Sequence, residues 1–143
     1  MKTIFFGGAV CAVLLCASCT KDVAKMSDIR KKRLVTDDWK VSYYADKGTD
    51  ETAQFSGFVF SFEKDGLLNV STPANGNVTG TWDFYNNDKD DSYNAQIIIK
   101  ISGTAGLDDV DDTWVITKLD RDHFELDDFD DSNGSEQLLF VKK

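Results

Sequence analysis

"GFVFSFEKDGLLNV", residues 57–70, decides the fold. Its first half sets Phe58, Phe60 and Phe62 at every second position. In an extended strand, alternate side chains share one face, so the three rings line up together. "KDG" follows at 64–66. Asp-Gly supplies the positive φ angles of a tight hairpin turn. Beyond the turn, Leu68 and Val70 resume the alternation. Two alternating runs about a turn make an antiparallel hairpin with one apolar face.

The same period extends outward. Upstream, "WKVSYY" places Trp39, Val41 and Tyr43 on one face. Downstream, "NVTGTWDF" aligns Val78, Gly80, Trp82 and Phe84, and "AQIIIKIS" aligns Ile97, Ile99 and Ile101. "DTWVITKL" aligns Trp114 and Ile116, with Val115 and Leu119 opposite. "HFELD" offers Phe124 and Leu126. "EQLLFVK" sets Leu139 and Val141 against Leu138 and Phe140. Eight candidate strands result, and the single proline, Pro73, falls between two of them. Helical periods are almost absent, which excludes parallel βαβ units. The expected fold is all-β: an antiparallel, eight-stranded up-and-down barrel, which leaves no sheet edge open. A two-sheet sandwich satisfies the same alternation. Val23, Met26, Ile29 and Leu34 sit at near-helical spacing, with Ser27 as a possible cap, so a short helix is expected over about residues 25–35. "GTAGLDDVDD" at 103–112 has room for one further short helical turn.

The first eighteen residues read differently. Lys2 gives a positive start, and Ile4 to Leu15 forms an apolar run of signal-peptide length. That run is too short for a bilayer, which needs about twenty residues. The next residues, Leu15, Cys16, Ala17, Ser18 and Cys19, resemble a bacterial lipobox, with Cys16 where Leu or Val is usual. The resemblance implies cleavage before Cys19 and lipidation of its sulfur. Starting at Cys16 instead would put bulky Leu15 where a small residue is usual. Each buried methylene of an acyl chain such as palmitate contributes about 0.8 kcal/mol, and two chains hold firmly. The expected organisation is signal peptide 1–18, lipidated tether and short helix 19–35, and barrel domain 36–143. Cys11 and Cys16 depart with the peptide, so the mature chain keeps no free thiol for disulfide, metal or nucleophile chemistry.

From about Leu34 onward the chain resembles the small lipocalin-like lipoproteins common in Bacteroidota. The resemblance rests on the order of pieces: a short basic helix, "LVTDDWKVSYY", "FVFSFEKDGLLNV", "VTGTWDF", "IIIKI", "LDDVDDTWVITKLDRDHFEL" and "QLLFVKK". Asp37 stands where the family usually has Gly, two before the first Trp. The resemblance implies an eight-stranded barrel in the cell envelope, anchored to the outer membrane on its periplasmic or surface face. It implies no single ligand.

Charge narrows the partners. The net charge is -9 and the pI near 4.5. No basic stripe is available for nucleic acid, and the balance disfavours a polybasic grip on anionic lipid. Arg30, Lys31, Lys32 and Arg33 are read first as a solvated helix face, with contact to anionic head groups as the sharper alternative. The acidic runs (Asp88, Asp90, Asp91; Asp108, Asp109, Asp111, Asp112; Asp127, Asp128, Asp130, Asp131) are read first as solvated loops. Calcium is the sharper reading for Asp127, Asp128, Asp130 and Asp131, because it takes six to eight oxygens. "DDFDDSNGSE" is no EF-hand loop, since counting back from Gly134 puts Phe129 at the first ligand position.

Catalysis has little support. His123 is the only histidine, no Ser occupies a nucleophile elbow, and no Gly-rich loop is built for phosphate. A non-enzymatic monomer without cofactor is expected. An eight-stranded barrel is either filled by side chains or holds one small ligand. Trp39, Phe58, Phe60, Trp82, Phe84 and Trp114 serve either purpose: as core, or as the wall of a pocket for a small apolar or amphipathic ligand with indole N–H donors near its mouth. The stretches 43–54 and 85–94 are candidate interaction loops for a protein or glycan.

Overall fold

A computed structural model describes residues 28–85, 95–103, 106–130 and 134–143; side-chain placement at 129, 130 and 134 is not described. A helix, α1, covers residues 28–34. Nine strands follow: β1 (Asp38–Asp46), β2 (Thr49–Asp50), β3 (Val59–Phe62), β4 (Leu67–Thr72), β5 (Gly76–Tyr85), β6 (Gln96–Lys100), β7 (Thr113–Leu119), β8 (His123–Asp130) and β9 (Gly134–Lys142). β2 is a two-residue flap folded back on the end of β1. The other eight pair with their neighbours antiparallel throughout, and β1 closes the circle by pairing with β9. The eight-stranded barrel expected from the alternation is therefore the observed fold, and closure rules out the sandwich.

The hairpin that opened the sequence reading forms as spaced. Phe60 pairs with Val70 and Phe62 with Leu68, and all four are buried. Gly66 closes the turn at φ 88, a left-handed value that favours glycine. Gly80 has a different reason. A Cβ there would lie 2.4 Å from the Lys100 carbonyl oxygen and 2.8 Å from the Ile101 Cβ. The absent side chain lets the end of β6 fold over β5.

Two β-bulges shift the alternation. In β1 the register slips between Val41 and Tyr43. One extra residue moves every later side chain to the other face. Tyr44, not Tyr43, is consequently buried, against the expectation of an unbroken Trp39–Val41–Tyr43 face. In β7 the register slips between Ile116 and Lys118, and Leu119 packs against the core rather than opposite it. Of the two faces of β9, Leu138 and Phe140 point inward.

The barrel has two ends. At the entry pole lie α1, the turns at 63–66 and 120–122, and the start of β1. Leu34, the last residue of α1, is buried, and the Arg33 guanidinium donates to the Leu119 carbonyl at 3.1 Å. At the far pole lie β2, a 3-10 helix over Thr52–Phe55, the turn at 73–75 and the turn at 106–110. The stretch 43–54 is thus strand, flap and helix, not an open loop. Its Phe55 reaches into the barrel mouth edge-on to Tyr44, Phe58 and, tilted, Phe60, with centroids 5.2, 5.8 and 6.5 Å away. Leu107 and Val110 complete the plug, and Gln54 Nε2 ties the two pieces together by donating to Asp109 Oδ2 at 3.1 Å.

Candidate functional site

The aromatic residues singled out from sequence lie mostly inside the barrel, in contact with one another. Trp39 and Phe62 meet Phe124 edge-on at 5.9 Å, Phe60 meets Phe140 at 5.1 Å, and Phe124 stacks on Phe140 at 5.5 Å. Trp39, Phe60 and Trp114 are fully buried; Phe58 lies at the far-pole plug. All three indole N–H groups are taken by backbone carbonyls. Trp39 donates to Leu34 at 2.9 Å, Trp114 to Val110 at 3.0 Å, and Trp82 to Glu63 at 3.1 Å. A buried indole N–H without a partner is costly. Each bond here joins the barrel to a segment that covers an end: α1, the 106–110 turn and the 63–66 turn. The indoles therefore pin the covers and are not donors in waiting for a guest.

Trp82 is the exception in placement. Its edge borders a groove of about 680 Å³ at the entry pole, walled by α1, the 63–66 turn and β5. Phe84 packs edge-on to Trp82 at 5.4 Å; Ile98, paired with Asp83 on the other face of the ladder, also borders the groove. Lys31 Nζ stands 5.7 Å from the centroid of the Trp82 ring, and Lys64 shares the groove. Asp28, Asp65 and Asp83 alternate with them. A cation over an indole face is held by the ring quadrupole and keeps its charge available to an anion. The groove thus offers an apolar floor beneath charges of both signs, the chemistry that seats an amphipathic molecule. No sequence pattern joins these residues: Trp82 and Phe84 stand out as strand aromatics, Lys31 within the basic run of the helix, and Lys64 to Gly66 as a turn.

The far pole has a different character. In the β ladder Asp46 pairs with Glu136, which pairs on its other side with Asp128. All three continue the inward-facing series of their strands, so like charges crowd one mouth. Asp46 Oδ1 is buried and takes no hydrogen bond among the described residues. Burial, then Asp46, Asp128, Asp112 and Asp109, raises the Glu136 carboxyl above its ordinary value. Burial, with Glu136 foremost among the nearby carboxylates, holds the Tyr44 hydroxyl far above its usual range. Asp127 faces outward on β8, where Gln137 Nε2 approaches its Oδ1 at 3.5 Å. It too is raised, chiefly by burial.

Of the calcium candidates, Asp127 and Asp128 are neighbours in one strand and so point to opposite faces. Asp130 pairs with Gly134 through its backbone, and Asp131 lies outside the described residues. Among the described residues, no three His, Cys, Asp or Glu side chains gather closely enough to hold a metal ion. Asp88, Asp90 and Asp91, most of the 85–94 stretch, Cys19 and the signal segment also lie outside the described residues. His123 opens β8 at the surface, its Nδ1 3.2 Å from Asp120 Oδ1. Two backbone N–H groups, of Asp122 and His123, help hold the Asp120 carboxyl down at about 2, so the pair is explained by turn geometry.

The chain matches no protein-family model and no curated protein.

Proposed function

We propose that this chain is a lipid-anchored, lipocalin-like barrel of the cell envelope, tethered to the outer membrane through Cys19. Its work is non-enzymatic binding of a small amphipathic molecule, seated in the entry-pole groove rather than in the lumen. The supporting observation is the groove itself: at about 680 Å³ it has the size of a small-molecule site, lined by Trp82 and Phe84 together with Lys31 and Lys64. An anionic head between the two lysines and an apolar body over Phe84 fit this arrangement.

The test uses 8-anilinonaphthalene-1-sulfonate, which has both parts. Saturable enhancement of its emission, abolished by Phe84→Ala and weakened by Lys31→Ala, is the expected result. Binding that never saturates, or that survives both changes, sinks the reading.

The second reading is a side-chain-filled barrel that acts as a structural or partner-binding module. The internally bonded indoles and mutually packed rings favour it. Under this reading the probe fails to bind, and alanine changes across 47–54 abolish capture of a protein or glycan partner while the fold persists.

A further inference from the structure

The net charge argues against any hold on an anionic membrane, but charge in this molecule is separated by pole. Among the described residues, Lys47 and Lys100 are the cations of the far pole, and Lys100 is bound to Asp111 at 2.8 Å. Around them stand Asp46, Glu51, Asp108, Asp109, Asp112 and Glu136. The entry pole carries Lys31, Lys32 and Arg33 on α1, with Lys64 and Arg121 on its turns, all exposed; the exposed acids Asp28, Glu63, Asp65, Asp83 and Asp122 stand among them, so its charges nearly balance where those of the far pole do not. Two of these cations make contacts with neutral groups: Lys31 with the Trp82 ring and Arg33 with the Leu119 carbonyl. Other cations of this pole are matched by acids, as Lys142 is by Asp37 and Lys118 by Asp120 and Glu125. Apart from Asp28 at its start, α1 has no such acid within its own span.

A second observation is independent of charge. Ile29, Leu67 and Tyr85 are the exposed large hydrophobic residues among those described, at 36%, 41% and 51% exposure. Ile29 is on α1, Leu67 opens β4 just after the 63–66 turn, and Tyr85 ends β5. All three are at the entry pole, and none is at the acidic one. Scattered single apolar residues need no explanation. Confinement to one pole, beside the basic helix, is the composition of a surface that rests in a membrane interface. There aliphatic and aromatic groups enter the headgroup layer, and nearby Lys and Arg are attracted by anionic lipid.

The third observation is chain geometry. Eight residues lie between Cys19 and Asp28. At full stretch the tether reaches about 30 Å, so an anchor at Cys19 holds the start of α1, and with it the entry pole, within that distance of the bilayer.

We infer that the entry pole is a membrane-contact surface: α1, the 63–66 turn and the end of β5 lie on an anionic bilayer, and the acidic mouth points away. The inference rests on the reading of Cys19 as the anchor, and it brings the groove beside Trp82 to the lipid headgroups. An amphiphile then reaches it from the membrane.

The experiment places a reporter at each pole of the full chain, reconstituted in vesicles containing phosphatidylglycerol with brominated acyl chains. Leu67→Trp reports the entry pole and Asn75→Trp the far pole, each read against the unsubstituted chain, whose tryptophans are buried. The Leu67→Trp contribution is expected to be quenched by about half, as for a residue seated in the interface. That of Asn75→Trp is expected to be unchanged. The contrast disappears in Lys31→Glu/Lys32→Glu/Arg33→Glu and in vesicles of brominated phosphatidylcholine alone. Equal quenching at both positions, or a contrast indifferent to lipid charge and to the triple reversal, overturns the inference. Mass spectrometry of the N-terminal peptide reads acylation of Cys19 separately. Acylation without contrast overturns the membrane pole and keeps the anchor; contrast without acylation does the reverse. A contrast lost to a soluble acidic polysaccharide at low lipid charge assigns the surface to that polymer and overturns the bilayer as its partner.

Discussion

The two ends of this barrel solve one problem in opposite ways. Each must cover a mouth lined by aromatic side chains. The entry pole is covered by a helix that is basic beyond Asp28 and whose exposed face keeps Ile29 bare. The far pole is covered by Phe55, Leu107 and Val110, held from short turns, and rimmed by carboxylates that repel one another. The first end satisfies its hydrogen bonds and leaves apolar surface outside. The second hides its apolar residues and leaves an unsatisfied acid, Asp46, inside. Membrane contact and solvent exposure ask for those two compositions respectively.

The comparison breaks most visibly at the indoles. Trp39→Ala and Trp114→Ala should each cost about 3–5 kcal/mol in denaturant unfolding, the usual range for removing a large buried aromatic. Milder changes separate the poles. Trp39→Phe should raise amide exchange in 28–34 first, and Trp114→Phe in 106–110. Exchange rising in both regions with either change would show that the covers are not independent.

Gly80→Ala is next in size. The added methyl meets the Lys100 carbonyl, and overpacking of this kind costs about 1–3 kcal/mol. β6 should shift away from β5, and the β5–β6 cross-strand NOEs should weaken at Thr81 and Lys100, which are ladder partners. An unaltered stability would mean that β6 does not fold over β5 as described.

The acidic mouth gives smaller effects of opposite sign. Glu136→Gln removes a like charge directly opposite Asp46 and should stabilise by about 0.2–1 kcal/mol at neutral pH. Acidity should act the same way. Glu136 and Asp127 have raised folded values, so their ionisation opposes folding at neutral pH. That cost is relieved as pH falls through their folded values toward the unfolded ones near 4.5 and 3.8. Asp111 and Asp120 are held low, by Lys100 in the first case and by backbone N–H groups foremost in the second. Their contribution is full above the unfolded value of 3.8 and is lost below it. The melting temperature should therefore rise from pH 7 to about pH 5 and fall below about pH 4. In Glu136→Gln the rise should be shallower. A monotonic fall from pH 7 would show that the crowded carboxylates carry no cost.

Much of the barrel was legible because its strands obey a period of two. Phe60, Leu68, Ile97, Ile99, Phe124 and Leu126 all face inward as spaced. The bulges were not legible. Tyr43 and Tyr44 are adjacent and chemically alike, so nothing local says which one the extra residue turns inward. The plugs left a faint signal: Phe55 alone in a polar stretch, and Leu107 and Val110 as the apolar members of an acidic run. The groove left only scattered marks: Trp82 and Phe84 as strand aromatics, Lys31 in the basic run and the turn at 64–66. It is assembled from a helix, a turn and a strand far apart in sequence, and alternation within each says nothing about their meeting. Pole separation was hidden for the same reason: a net charge sums over the surface what the barrel keeps apart.

The seam between β1 and β3 has a kinetic consequence. It is held by two residue pairs, Asp38 with Ser61 and Trp39 with Phe60, whereas β1 runs along β9 for most of its length. A closed ring parts where its zipper is shortest, and the free energy of such an opening lies below that of global unfolding. Phe55, bearing on Tyr44 from one strand and Phe60 from the other, is the latch on that zipper. Phe55→Ala should accelerate protease nicking within 56–60 more than anywhere else in the barrel. A cleavage pattern unchanged from the parent chain would assign the weakest gate to another strand pair.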